Sequence, residues 1–515
     1  MSKALQTLSV KAPGFLGLNT QDASLELDTG YCLKADNLII DKAGRLASRK
    51  GWKYTTTAGT DVNLVDGLKY EDTDGTVRTV AWSNTTFYSG EVTLTPIVPT
   101  TSETISTGNW SAAVINDLNG TSVYFYQTGY TPLVLTYATG SLVFQQINSH
   151  TNASGTAPLG SIVATEFGRT WVAGIPNNKL VVKFSDLLNG HKWGTGSFGQ
   201  INLASVIQDG TDEITGVASH AGYLIIFLRN HIAIYTDSDG FQLSIDLNSL
   251  KLVEVIQGVG CISQKTIQYA NEDVMFLSNS GVRSLGRTIQ EKSQPLTDIS
   301  KNIRDDLISD LAQQTESEII AVYSSEYDFY LLSFPTSKIV YCFDLKAALP
   351  NGSFRVTKWI SQTHKSLFAY KKEILFFEQK GIAKYSGYLD NTADYGIEYR
   401  TNYLDFKDAS KIKILKKISM TTIGGVGQEL TIGVNFDYQS SGNFFNYTLS
   451  GSPVSQYNIA EFNVGTFSKG ITTDNTKASL GGAGNILQLV VNSTVTGFAL
   501  ALQKVDLFVK QGKVL

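Results

Sequence analysis

A short strand that is apolar at nearly every position, with polar turns on both sides, must be covered on both faces, and this chain repeats such a strand along most of its length. Tyr223–Leu228 (YLIIFL) is the clearest case. Around it lies a fixed sentence of sequence: a β-branched strand, a small polar turn, the apolar strand, a second turn and a third short strand. The sentence returns at 77–88, 122–137, 162–184, 216–236, 266–286, 319–345 and 366–387, with turn centres roughly fifty residues apart. That is the period of a propeller blade. A blade cannot bury its faces alone, but blades stacked around an axis cover one another and leave only short edges. Hairpins with short turns also fit an open stack of β-sandwiches. Regular spacing without long linkers favours the propeller.

The expected fold is therefore all-β: a divergent six- or seven-bladed β-propeller over 61–395, an N-terminal extension over 1–60 and a C-terminal antiparallel β-sandwich over 396–515. The last assignment rests on longer alternating strands, such as Lys413 to Thr422, Leu430 to Phe436 and Ile486 to Val491. Composition agrees. Only 17% of the 515 residues are charged, while Tyr (24) and Phe (25) are abundant, as half-buried pleated surfaces prefer. One segment departs from the pattern. Residues 297–314, TDISKNIRDDLISDLAQQ, space Ile299, Ile303, Leu307 and Leu311 by four, which predicts an amphipathic helix with Thr297 or Asp298 as N-cap. Such a helix is either a packing plug or a contact to a neighbouring subunit, and the contact is favoured because a blade does not need a helix.

Signatures of chemistry are missing. There is no G-x-S-x-G elbow, H-E-x-x-H pair, P-loop or paired C-x-x-C, and the five histidines are scattered without partners at metal-ligand spacing. His220 and His231 read as strand-end residues. Two acidic turns, Asp72-Thr73-Asp74-Gly75 and Asp237-Ser238-Asp239-Gly240, resemble the start of a calcium loop but lack the closing glutamate, and Asp-Gly is a common hairpin turn. No pair among the 46 acidic residues stands out as a glycosidase pair. The chain is thus expected to be no enzyme and to use no cofactor or metal. Cys32, Cys261 and Cys342 are an odd, widely separated set, which predicts free thiols and folding in a reducing cytoplasm. Neither a signal peptide nor a membrane-spanning run is predicted. A net charge of −4 gives no footprint for tight nucleic-acid binding, yet it suits a wall past which DNA slides. Lys and Arg gather at Arg45, Arg49, Lys50 and Lys53, placed to meet acids of another subunit or to line a DNA path. They gather again at Lys411, Lys413, Lys416 and Lys417, which read as a solvated strand face.

Several fragments carry a family likeness. Gly14-Phe15-Leu16-Gly17-Leu18-Asn19-Thr20, then Lys34-Ala35-Asp36-Asn37-Leu38-Ile39-Ile40-Asp41, Gly44-Arg45-Leu46 and Arg49-Lys50-Gly51-Trp52, resemble the N-terminus of the tail nozzle (tail tubular or tail hub) proteins of short-tailed bacteriophages. Phe167-Gly168-Arg169-Thr170-Trp171-Val172, Val182-Lys183-Phe184-Ser185-Asp186 and Gly258-Val259-Gly260-Cys261 are similar to blade segments of that family, and the helix before Glu318-Ile319-Ile320 holds the same relative place. The likeness covers 14–52 and 160–345, and the C-terminal third only in general character. It implies a structural virion protein, assembled in the bacterial host cytoplasm and resident in the virion tail. Such a subunit forms a homohexameric ring on the head-to-tail adaptor, docks tail fibre, spike or plug proteins, and makes the distal channel through which genomic DNA passes. The candidate assembly interface is Arg45, Arg49, Lys50, Trp52, Ile303, Arg304 and Leu307. The alternative is a receptor-binding or carbohydrate-active propeller of a virion or cell surface.

Overall fold

A computed structural model describes residues 5–100, 108–118, 120–138, 141–207, 210–237, 250–291, 298–439, 442–450 and 473–514. All seven sequence repeats fold as antiparallel meanders. Residues 66–97, 111–146, 162–202 and 214–257 each make a four-stranded sheet, and residues 268–284 a three-stranded one. The three strands of 366–385 gain a fourth from far upstream, Trp52–Thr57, paired antiparallel with Gly381–Tyr385. These six small sheets are propeller blades. Between the fifth and the sixth stand the four strands of 320–359, which open a ten-stranded sheet that continues into the sandwich.

Packing shows the ring directly. Along Tyr223–Leu228 alternate residues serve different neighbours: Leu224, Ile226 and Leu228 pack with the 162–202 blade, whereas Ile225 and Phe227 pack with 268–284. Shared clusters likewise join 66–97 to 111–146, 111–146 to 162–202, 268–284 to 320–359, 320–359 to 366–385, and 366–385 back to 66–97. The apolar strand is thus explained as a wall with a blade on each side. Each fully covered Leu, Ile or Phe contributes about 1.5–3 kcal/mol relative to exposure.

The sandwich is present but is not built from residues 396–515 alone. One sheet orders 473–478, 411–424, 500–514, 46–48 and 38–40, with Gln6–Lys11 also pairing on Leu500–Val514. The other orders 31–36, 395–401, 487–495, 429–436 and 443–448. Ile418, Met420, Val505 and Leu507 of the first share one core with Leu430, Ile432, Leu489 and Val491 of the second. The divisions expected at 60/61 and 395/396 therefore do not follow the strands. The first sixty residues complete the sandwich and close the propeller, and a single parallel bridge, Lys358 to Asp36, carries the ten-stranded sheet from one into the other.

The expected helix is shorter than 297–314: a 3₁₀ turn at Lys301–Ile303 leads into Arg304–Leu311. Thr297 lies outside the described residues. Asp298 is not the N-cap, which is Ser300 for the turn and Ile303 for the helix, neither capping through its side chain; Asp298 lies just before and accepts hydrogen bonds from the Ser300 backbone N–H and Oγ, both 2.9 Å. The turn at 72–75 is a hairpin turn in which Asp72 binds Arg78 at 2.8 Å; residues 238–240 of the other acidic turn lie outside the described residues.

Candidate functional site

Every inner strand of the ring starts at the same end of the axis, and there the structure holds a polar cavity of about 580 Å³. Ser111, Ile162 and Ile214, where three inner strands begin, line it together with Gln264, Lys265 and Glu316. Of its charged groups Lys179 donates to the Gly210 carbonyl oxygen, and the others are bound to acids or bases. Lys265 Nζ reaches Asp66 Oδ2 of the 66–97 blade at 2.6 Å, and Ser366 Oγ donates to the other oxygen at 2.5 Å. Arg229 grips both oxygens of Glu316 at 2.7 Å and Glu213 Oε1 at 2.8 Å, and these bonds push the guanidinium pKa up. General acid–base hydrolysis needs one carboxyl free to donate a proton and another free to attack or accept. Here Asp66, Glu213 and Glu316 are each occupied by a cation.

The opposite end of the axis carries a network that no sequence motif announced. Glu166, the last residue of one inner strand, accepts from Tyr269 Oη at 2.5 Å and from Ser219 Oγ at 2.6 Å. Burial pushes its carboxyl pKa up, and the two bonds pull it down. The three residues come from three consecutive blades, so the network staples them. Nothing local in the sequence marks Glu166, because its partners lie 53 and 103 residues away.

The residues expected to form an assembly interface occupy a seam within the chain, and this corrects that expectation for most of them. Arg49 is 2% exposed. Its Nη atoms make two parallel bonds of 2.7 Å to Asp390, its Nε donates to Asn37 Oδ1 at 3.0 Å, and its guanidinium lies over the Tyr395 ring at 4.2 Å. Beside it Gly51 permits a close approach, since a Cβ there would sit 1.9 Å from the Leu389 carbonyl oxygen. Arg45 is buried against Asp41, with Nε to Oδ2 at 2.6 Å. Ile303 and Leu307 are core residues, because the helix turns its apolar side inward and its acids outward. Thr20 and Gln21 bind those acids, Asp306 at 2.7 Å and Asp305 at 3.0 Å, so the helix is a packing plug that also pins the N-terminal segment. Lys50, Trp52 and Arg304 keep part of their surface in solvent. Lys50 Nζ stands 5.5 Å over Tyr327, Trp52 meets Tyr54 edge-on, and Arg304 binds Asp298 at 3.1 Å.

Among the described residues no three His, Cys, Asp or Glu side chains are grouped to hold a metal ion, and no helix is long and apolar enough to cross a membrane. The three thiols are free and buried.

No family model matches the chain, and no curated protein matches it in sequence. Solved structures do. PorZ, a bacterial surface component of the type-IX secretion system of Porphyromonas gingivalis, is 12% identical with a TM-score of 0.34; the match covers 64% of this chain and 37% of PorZ, so the chain spans well under half that protein's length. An exo-β-1,3-galactanase from Phanerochaete chrysosporium is 11% identical with a TM-score of 0.28, covering 90% of this chain and all of the enzyme. TmCBM61, solved with β-1,4-galactotriose, is 11% identical with a TM-score of 0.16, covering 28% of this chain and 73% of its own. None of these scores transfers an activity to this chain.

Proposed function

We propose that the protein is a non-enzymatic structural subunit of a short phage tail, a nozzle protomer that assembles in a homohexameric ring, sits on the head-to-tail adaptor, docks fibre or plug proteins and leaves a distal channel for DNA. The observation that carries the reading is the ion pairing of the acids at one end of the propeller axis. With Lys265 bound to Asp66 and Arg229 clamping Glu213 and Glu316, these three carboxylates are each held by a cation and do not make a free acid pair. In this reading the DNA conduit lies between protomers rather than through one. The fragments at 14–52 and 160–345 that resemble nozzle proteins add support. So does the fusion of propeller and sandwich by one continuous sheet, which suits a part that bears load.

The purified protein, imaged by negative-stain electron microscopy and weighed in solution, is expected to form six-fold rings or to join them on tail particles. A stable monomer that ignores phage tail particles overturns the reading. Reproducible turnover in a glycoside hydrolase screen, or capture of defined glycans on an array, transfers the case to the carbohydrate-active or receptor-binding alternative.

A further inference from the structure

Among the described residues nothing covers the outer face of the sandwich sheet that holds Gln6–Lys11 and Leu500–Val514, and its charge differs from that of the whole chain. In register across it stand Lys477 opposite Ser419, Thr421 opposite Lys504, Ser419 opposite Asp506, Lys417 opposite Phe508, and Lys504 opposite Lys11. Lys510 follows on the same strand, paired with Ile414. Burial alternates as a one-sided sheet requires: Val505, Leu507 and Val509 are buried, while residues 504, 506, 508 and 510 between them reach solvent. The face thus presents five lysines, Lys11, Lys417, Lys477, Lys504 and Lys510, against one carboxylate, Asp506, a net +4 on a chain whose formal total is −4. Asp506 is already engaged by Lys504 at 2.8 Å. Among the described residues no acid pairs with the other four lysines. Lys416 sits in a bulge of the same strand and is exposed.

We infer that this face, Lys11, Lys417, Lys477, Lys504 and Lys510 set across four strands, is a contact surface for the phosphate backbone of duplex DNA. Strands lie about 4.8 Å apart and every second residue about 6.8 Å along, so the ammonium groups form a flat array on the scale of phosphate spacing. Ser9, Ser419, Thr421 and Asn475 stand between the lysines as neutral hydrogen-bond donors of the kind that meet phosphate oxygens. Among the described residues the face carries no arginine fork and no groove-entering element, so binding is independent of base sequence. A protein partner is less well served. Protein interfaces gather apolar residues at their centre, and here the one large aromatic ring, Phe508, lies under Lys417 with Nζ 5.8 Å from its centroid. The inference deepens the ring proposal by giving DNA a named surface, but it does not depend on ring closure.

The test is fluorescence anisotropy of a labelled 30-base-pair duplex of arbitrary sequence, titrated with the full chain between 50 and 200 mM salt. Five phosphate contacts set an upper slope of about −4.5 in log K against log salt, or about a 500-fold loss across that range. Replacing three lysines together (K417Q, K504Q, K510Q) is expected to reduce the slope by about 2.7 and the loss to about 12-fold. The control pair K338Q and K380Q, exposed lysines of the propeller, should leave both unchanged. Surface changes of this kind leave the fold intact, checked by an unaltered melting midpoint. No binding at 50 mM salt, or a triple variant that binds as the unaltered protein does, overturns the inference. So does capture of an acidic protein through this face without DNA binding. A DNA-binding monomer that ignores phage tail particles would sink the ring proposal and leave this surface standing, and rings indifferent to DNA would do the reverse.

Discussion

Replacing Arg49 by alanine removes the tie at the junction of N-terminal segment, propeller and sandwich. The change deletes both bonds to Asp390, the bond to Asn37 and a 2.9 Å bond to the Lys50 carbonyl oxygen. Breaking a buried ion pair from one side costs about 3–5 kcal/mol, much of it from the stranded partner. The Asp390 side chain retains 19% exposure and recovers some hydration, which places the cost near the lower end, about 3 kcal/mol. For 515 residues the unfolding entropy is roughly 1 kcal/mol per degree, so the midpoint should fall by about 3 °C. Thermal unfolding by near-ultraviolet circular dichroism at pH 7 measures it, with size-exclusion chromatography run alongside. D390A should cost a similar amount, and R49A with D390A less than the sum. An R49A protein that melts within 0.5 °C of the unaltered chain while its assembly state changes would refute the intrachain role and return Arg49 to an interface between subunits.

Burial pushes the Glu378 carboxyl up to about 7, with Thr363 Oγ1 donating at 3.1 Å and pulling the other way. As pH rises the unfolded chain loses this proton first, so stability falls between about pH 4.5 and 7 and the whole cost, up to about 3 kcal/mol, is present above. Melting curves of E378Q should therefore match the unaltered protein near pH 4 and exceed it at pH 8; equal midpoints at pH 8 contradict the assignment. A chain cut to 61–515 loses the strand that completes the last blade and strands of both sandwich sheets, and it is expected in the insoluble fraction on expression; a soluble, cooperatively melting fragment would show that the N-terminal segment is an appendage after all.

The blades were legible because their signal is local. Tyr223–Leu228 shows its two-sided burial in six consecutive letters, and each of the seven repeats marks a real meander. What failed to show was anything settled by distant partners. Trp52–Thr57 reads as an ordinary short strand, and nothing in it says that it pairs with Gly381–Tyr385. Arg45, Arg49 and Lys50 look like a basic patch for an external partner because Asp390, which occupies Arg49, stands 341 residues downstream. The helix was legible in type, and its apolar stripe correctly marked a buried side. The sequence alone did not tell whether the covering surface belonged to the same chain. The basic sheet face shows the same limit: Lys417 and Lys504 are remote in sequence, and only strand register makes them neighbours on one surface.

Closure by Trp52–Thr57 sets an order of events during synthesis. This strand leaves the ribosome more than three hundred residues before its partner Gly381–Tyr385, and Gln6–Lys11 must likewise await Leu500–Val514, nearly five hundred residues downstream. At a ribosome pace of about 5–20 residues per second, the opening segment stays without its pairing partners for tens of seconds. Its exposed letters are suited to that interval: residues 1–60 hold few long apolar runs, with charged side chains through Arg45-Leu46-Ala47-Ser48-Arg49-Lys50. A nascent chain with those charges resists sticking to its neighbours on a polysome, and Trp52–Thr57, made long before its partner, is the latch that shuts the finished ring.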